Sequence, residues 1–192
     1  VNQGDYEGSA AVFEKANAIF DQRPEVMLTL GQIYAQLREH DKALENLDRA
    51  MAIINDPVKT AAMDSATVEA WKESAVDVPT IKAGVLADAG RFEEAVGLFE
   101  TLVAESPGDI SLKRNLAAIL VQVGNTERAF EVYDDLMAQP SLMSQDYYAI
   151  GVGFYQASAY DRAAEAFKGA AEKAKNDRDA LEMYSRSLQL DS

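Results

Sequence analysis

GRFEEAVGLFETL from Gly90, GNTERAFEVYDDL from Gly124 and SAYDRAAEAFKGA from Ser158 are three versions of one pattern, each set 34 residues after the last. Two more copies stand upstream, GDYEGSAAVFEKA from Gly4 and REHDKALENLDRA from Arg38, again 34 apart. The step from Arg38 to Gly90 is 52 residues, one period plus an insertion of 18. In every copy a small residue (Ser9, Ala43, Ala95, Ala129, Ala163) is followed four positions later by a large one (Phe13, Leu47, Phe99, Tyr133, Phe167). Four residues is just over one helical turn, so the two share a face. A second set of segments runs ahead in the same phase, from Met27, Pro79, Lys113, Tyr147 and Leu181. Its small position holds Gly31, Ala83, Ala117, Gly151 or Ser185, and Tyr34, Leu86, Leu120, Phe154 or Leu188 follows three later. Small beside large lets helices approach ridge into groove. Each unit is expected to be two helices and a short turn, with Pro24, Pro57, Pro107 and Pro140 marking helix stops between units.

A 34-residue helix-turn-helix with this small and aromatic spacing resembles the tetratricopeptide repeat, over nearly the whole chain outside the insertion. The resemblance implies an all-α fold, a right-handed α-solenoid of tetratricopeptide helix-turn-helix units, with about eleven helices counting one for the insertion. The expected division is a half repeat 1–23, a repeat 24–57, the insertion 58–75, repeats 76–109, 110–143 and 144–177, and a half repeat 178–192. Two features depart from the family. Its usual Trp position holds Met27, Pro79, Lys113, Tyr147 or Leu181, and Lys82 occupies a normally apolar place. The insertion, VKTAAMDSATVEAWKESA from Val58, matches neither helix. Ala61, Ala62, Met63, Val68, Trp71 and Ala75 make an apolar stripe for a short extra helix that packs the single Trp against its neighbours, with Asp64 or Ser65 as cap if the helix starts late. The alternative is an element that touches a partner.

Composition narrows the function classes. The chain has 192 residues, a formal charge of −14, 48% hydrophobic residues and no cysteine. That is enough chain to bury a core without a disulfide or zinc. No apolar run approaches the roughly 20 residues that cross a bilayer, so no membrane insertion is expected. The charge repels phosphate backbones, which argues against nucleic acid as a partner. The start, VNQGDYEGSA, has neither the basic nor the apolar region of a signal peptide, and the missing initiator Met fits a processed, soluble chain such as an exported one, periplasmic or extracellular. The compartment stays undetermined.

The residues offer no catalytic, metal or cofactor site. His40, the single histidine, takes a second-helix position filled elsewhere by Tyr6, Phe92, Thr126 and Tyr160, and reads as a turn or packing residue. Asp134 and Asp135 are adjacent, hence about 100° apart on a helix, and cannot converge on one ion. Gly151-Val-Gly153 lies mid-helix with no strand before it, so it is no phosphate loop. The expectation is a non-enzymatic scaffold binding a protein or peptide.

In the family it resembles, first helices line a concave groove. Carried over, this places Leu28, Thr29, Gln32, Ala35 and Gln36 there, with Ile81, Arg114, Asn115, Gln122, Tyr148, Val152, Tyr155 and Gln156. Only Asp88, Glu182, Arg114 and Arg186 carry charge among the groove positions, two of each sign, so a polar or apolar peptide suits the groove better than an anionic one. The carboxylate clamp of chaperone-tail-binding members is missing, since Arg114 is followed by Ala118 and the next helices offer Ala149 and Met183. Tyr148, Val152 and Tyr155 share one helix face as anchor candidates. Packing between repeats is the competing explanation. Gln36, Gln122 and Gln156 recur at one position and suit hydrogen bonds to a peptide backbone.

The chain enters with a second helix and leaves with a first helix, each without its mate. Phe13 and Phe20 at one end and Leu181, Tyr184 and Leu188 at the other are then apolar faces. Either the segment is cut from a longer array, or subunits join head to tail, each completing a shared repeat, into a filament or ring.

Overall fold

The computed structural model describes residues 3–19, 23–174 and 177–191. Among them the chain is helical, with no strand. The helices are α1 (Gln3–Ile19), α2 (Pro24–Gln36), α3 (His40–Ile54), α4 (Pro57–Ala61), α5 (Ser65–Ser74), α6 (Val78–Asp88), α7 (Phe92–Glu105), α8 (Ile110–Gln122), α9 (Thr126–Met137), α10 (Ser144–Gln156), α11 (Tyr160–Lys173) and α12 (Arg178–Leu190). Eleven of these have ten residues or more, the expected number, and α4 is an added single turn. The fold is an all-α solenoid of tetratricopeptide-type units. It divides into two compact units, Val1–Ala95 and Val96–Ser192, with the division inside α7.

One turn geometry recurs through the repeats. After α2, α6, α8 and α10 the chain takes a left-handed residue, Arg38, Gly90, Gly124 or Ser158, with φ between 59° and 77°. The next N–H, of Glu39, Arg91, Asn125 or Ala159, donates back to the carbonyl of Tyr34, Leu86, Leu120 or Phe154 at 2.8–2.9 Å. The left-handed residue's own N–H donates to Ala35, Ala87, Val121 or Tyr155 at 3.0–3.1 Å. This paired closure satisfies carbonyls that a helix end leaves without partners and turns the chain into the second helix. The residues that accept the long bond are the large ones the repeat pattern singled out.

In the first unit α2 packs on α3. Met27, Leu30 and Tyr34 are buried against a face that includes Ala43, Leu47 and Ala50. A Cβ at Gly31 would stand 2.6 Å from Leu47, so this glycine is what lets the two helices close. Tyr34 also donates its hydroxyl to the Glu14 carboxylate of α1. Lys82, out of place in an apolar position, is accommodated because its long stem stays partly covered while its ammonium reaches Asp48 on α3.

The insertion folds as two short helices rather than one. Asp56 caps α4, accepting from Val58 N–H at 2.8 Å, and Asp64 caps α5, accepting from Thr67 N–H at 2.9 Å. Trp71 and Ala75 are buried in a cluster with Met27, Leu28, Leu47, Ala50, Ile53, Ile54 and Val78. Of the rest of the expected stripe Val68 is half-buried, while Ala61, Ala62 and Met63 are exposed, because α4 ends at Ala61 and α5 begins only after the Asp64 cap. Pro24 and Pro57 also differ from expectation, since each opens a helix as its first residue, where a missing N–H costs nothing.

In the second unit α8 packs on α9, α10 on α11, and α11 on α12. Asp109 caps α8 and Asp177 caps α12. Gly151 receives the ring of Phe167 as Gly31 receives Leu47, with a would-be Cβ at 2.8 Å. Gly153 admits Tyr133, whose hydroxyl would lie 2.2 Å from an added Cβ. Ion pairs step along the second helices with the period of the repeat: Glu100 with Arg128 at 2.7 Å and Asp134 with Arg162 at 2.9 Å. Asp135, beside Asp134 in sequence, turns instead to Lys113 at 2.6 Å. The adjacent carboxylates thus diverge, as their helical angle requires.

Candidate functional site

In the first unit α1, α2 and α6 surround a cavity of about 460 Å³ lined by Tyr6, Thr29, Gln32, Ile33, Ala35, Gln36 and Ile81. Among the described residues no charged side chain lines it. The floor is isoleucine and the rim holds two glutamines that are exposed and make no hydrogen bond among the described residues. Their amides are therefore available to a ligand, each with donors and an acceptor. The hydroxyl of Thr29 is already spent on the Glu25 carbonyl at 2.9 Å. Of the groove positions expected from sequence, Thr29, Gln32, Ala35, Gln36 and Ile81 come together here. Leu28, expected beside them, is instead buried in the Trp71 cluster. Tyr6 and Ile33 were not expected. Tyr6 lies on a second helix, and its signal was the aromatic position it shares with Phe92 and Tyr160.

The second unit does not gather its candidates into one place. Tyr148 lines a cavity of about 490 Å³ with Met143, Ser144, Gln145, Asp177 and Asp179. Its ring and that of Phe167 meet edge to face, with centres 5.4 Å apart. Tyr155 packs edge-on to Tyr160 at 5.3 Å, and the Arg186 guanidinium lies 6.0 Å from its ring centre. Both tyrosines, and Val152 between them, are half-buried. Arg114 pairs with Asp146 at 2.7 Å, and that buried carboxylate also accepts the Met143 N–H at 3.2 Å. Asp146 escaped sequence reading although it stands at the third position of α10, where a carboxylate satisfies the helix start. Tyr133, nearly inaccessible, has its hydroxyl pushed up to about 12 by burial, with the nearby Arg114 charge opposing. Asn115 is half-buried, and Gln122 and Gln156 are exposed.

Among the apolar end positions, Leu181 and Leu188 on α12 are 50% and 47% exposed, while Tyr184 and Phe13 are half-buried. Phe20 lies outside the described residues. Among the described residues no group of His, Asp or Glu is placed to hold a metal ion, and no helix is long and apolar enough to cross a membrane. His40 begins α3, and its Nε2 is buried with no hydrogen-bond partner among the described residues.

Residues 25–141 match the family model of the bacterial transcriptional activator domain. No curated protein matches the sequence. Among solved structures, the C-terminal part of a TPR repeat-containing protein from Cytophaga hutchinsonii is 16% identical, with a TM-score of 0.72 over 97% of this chain and 67% of that one. MamA is 17% identical, with a TM-score of 0.64 over 92% of each chain. YrrB, described as a TPR protein with an unusual peptide-binding site, is 16% identical, with a TM-score of 0.60 over 93% of this chain and 83% of that one. At these identities the likeness is one of fold.

Proposed function

The chain belongs to the bacterial transcriptional activator domain family, among the tetratricopeptide-type repeats, and from that premise we propose a non-enzymatic interaction scaffold that binds an extended, uncharged protein segment in the first-unit cavity. One observation carries the reading: in a chain of −14, a cavity of about 460 Å³ has no charged side chain among its described lining residues. Isoleucine and tyrosine offer a place for an apolar side chain, and Gln32 and Gln36 offer hydrogen bonds to the backbone that carries it. Peptide binding by YrrB is a precedent for the fold, not for these residues. The family name links such domains to transcriptional activators. Any such role here would run through protein contacts, because the net charge opposes a phosphate backbone.

The test is a pool of blocked decapeptides free of charged residues, screened by fluorescence polarisation. Binding should survive added salt nearly unchanged, since no ion pair is there to screen. Ile81→Asp should weaken it at least about thirtyfold, the size of an interface hot spot, while the helical signal stays intact. A pool without binders, or binders indifferent to Ile81→Asp, would refute the reading.

A second reading, head-to-tail self-association, is supported by the half-exposed leucines of α12 and by Val12 and Ile19 of α1, which are 65% and 72% exposed. Ser185 is exposed as well, in the position where Gly31 and Gly151 take up Leu47 and Phe167.

A further inference from the structure

We propose that the uncovered face of α12 is taken by α1 of a second copy, in a register set by Lys168 of the first copy against Gly8 of the second. The proposal rests on the second reading above, head-to-tail association, and adds what selects the occupant. In the repeats within the chain the small and the large position of a first helix are buried together, as in Gly31 with Tyr34, Ala117 with Leu120 and Gly151 with Phe154. On α12 the same two positions, Ser185 and Leu188, are exposed. Second helices repeat the contrast. Ala43 and Leu47, Ala129 and Tyr133, and Ala163 and Phe167 are buried, whereas Ser9 of α1 is exposed and Phe13 only half-buried. Among the described second helices α1 alone has neither position buried, so the two open faces are the two halves of one repeat.

Charge then chooses among second helices. At one phase of the repeat a second helix carries a carboxylate that meets a cation of the next repeat: Glu100 meets Arg128 at 2.7 Å, Asp134 meets Arg162 at 2.9 Å, and Asp48 meets Lys82. On α11 that phase holds Lys168, with the sign reversed. Glu172, one turn along the same helix, is 3.9 Å from its ammonium, and Glu165 shares a cavity wall with it, so its charge is tempered but not cancelled. The facing phase of the following second helix is the one of Arg128 and Arg162, filled by Lys42 on α3. A helix with a cation there would set like charges together on α11. On α1 the residue is Gly8, which brings no charge, and a Cβ built on it meets nothing within 4 Å. α7 has Glu94 there, but its Ala95 and Phe99 are already buried. The reversed sign therefore rejects the cationic second helices and admits α1. Residues 158–192 hold seven acidic and six basic side chains, −1 of the total −14, so the acidic α1 meets little net charge at this end.

The experiment is a sedimentation titration of two whole-chain variants, Phe13→Asp, which keeps the α12 face, and Leu188→Asp, which keeps the α1 face, so that a single junction forms. Each blocking change sits on the helix that the junction does not use, and a local loss of helix there leaves the contact measurable. Gly8→Glu and Gly8→Lys are then placed in turn in the Leu188→Asp chain. The two residues serve a helix about equally well, so the difference between them reads charge and not propensity. The glutamate variant should bind at least about threefold more tightly than the lysine variant, against the order that bulk attraction to a partner of −14 would give. Lys168→Glu in the Phe13→Asp chain should reverse that order. The same Lys168→Glu in the Leu188→Asp chain, whose α12 face is blocked, should leave the order as it was. Equal affinities of the two Gly8 variants, a tighter lysine variant with Lys168 in place, or an order that Lys168→Glu does not reverse would overturn the register while the junction itself stands. No junction at any concentration would overturn head-to-tail association and this proposal with it.

Discussion

Arg38 and Ser158 carry φ of 59° and 60° at the turn where Gly90 and Gly124 carry 75° and 77°. An L side chain in that region pays roughly 1–2 kcal/mol, part of which glycine returns as freedom in the unfolded chain. Arg38→Gly and Ser158→Gly should each stabilise the fold by about 0.5–1 kcal/mol, and Gly124→Ala should cost about 1 kcal/mol, as read from urea unfolding. The sequence showed the pattern but not its geometry here. Glycine at two of the turns is a left-handed signal, whereas an arginine and a serine in the same phase give none. Tyr133 supplies a pH dependence. Its folded hydroxyl is pushed up to about 12 from an ordinary value near 10. The protonated form is the one the fold prefers, so this contribution is whole below pH about 10 and is lost as pH rises toward 12. The lost part is on the order of 2 kcal/mol, and Tyr133→Phe should flatten that stretch of the stability curve. An unchanged slope in Tyr133→Phe would mean the hydroxyl reaches water.

The insertion shows where element-level reading succeeds and stops. That an 18-residue surplus should fold as helix and bury its tryptophan was legible, since an apolar stripe needs cover and long structureless loops are rare in compact domains. Its break into α4 and α5 was not, because the apolar stripe runs past Asp64 without interruption, whereas α4 ends at Ala61 and Asp64 opens α5. Trp71→Ala should cost about 3–5 kcal/mol, the range for a buried large aromatic, and Asp64→Ala about 0.5–2 kcal/mol through the start of α5. The first loss should spread to α2, α3 and α6, whose residues share the Trp71 cluster, and hydrogen exchange would show it there. Protection lost only in α5 would mean the insertion is a separate satellite. The candidate sites follow the same division. Groove positions on first helices were readable from phase, but Tyr6, Asp177 and Asp179 come from a second helix and a turn, which phase does not place.

At the scale of the whole molecule the formal charge of −14 favours solubility, and association must come from local apolar faces. Within the chain the rule for such faces is explicit: Phe167 seats on Gly151 and Leu47 on Gly31, each large side chain on a small one of the helix before it. Continuing the phase from one copy to another sets Phe13 on Ser185, with Leu181 and Leu188 beside it. Burying a few such side chains yields roughly 1.5–3 kcal/mol each against an association cost of several kcal/mol, so the balance is close and concentration decides it. Light scattering on the 192-residue chain should then show mass rising with concentration. Leu188→Asp should block one face and Phe13→Asp the other, and in a head-to-tail contact either alone should stop growth. Mixed together, the two variants retain one intact pair of faces, Leu188 of one with Phe13 of the other, and should form dimers and nothing longer. Raising salt should favour association by screening the like charge of the copies. A chain monomeric at every concentration, or variants that still polymerise, would remove self-association and leave the cavities as the interaction surfaces.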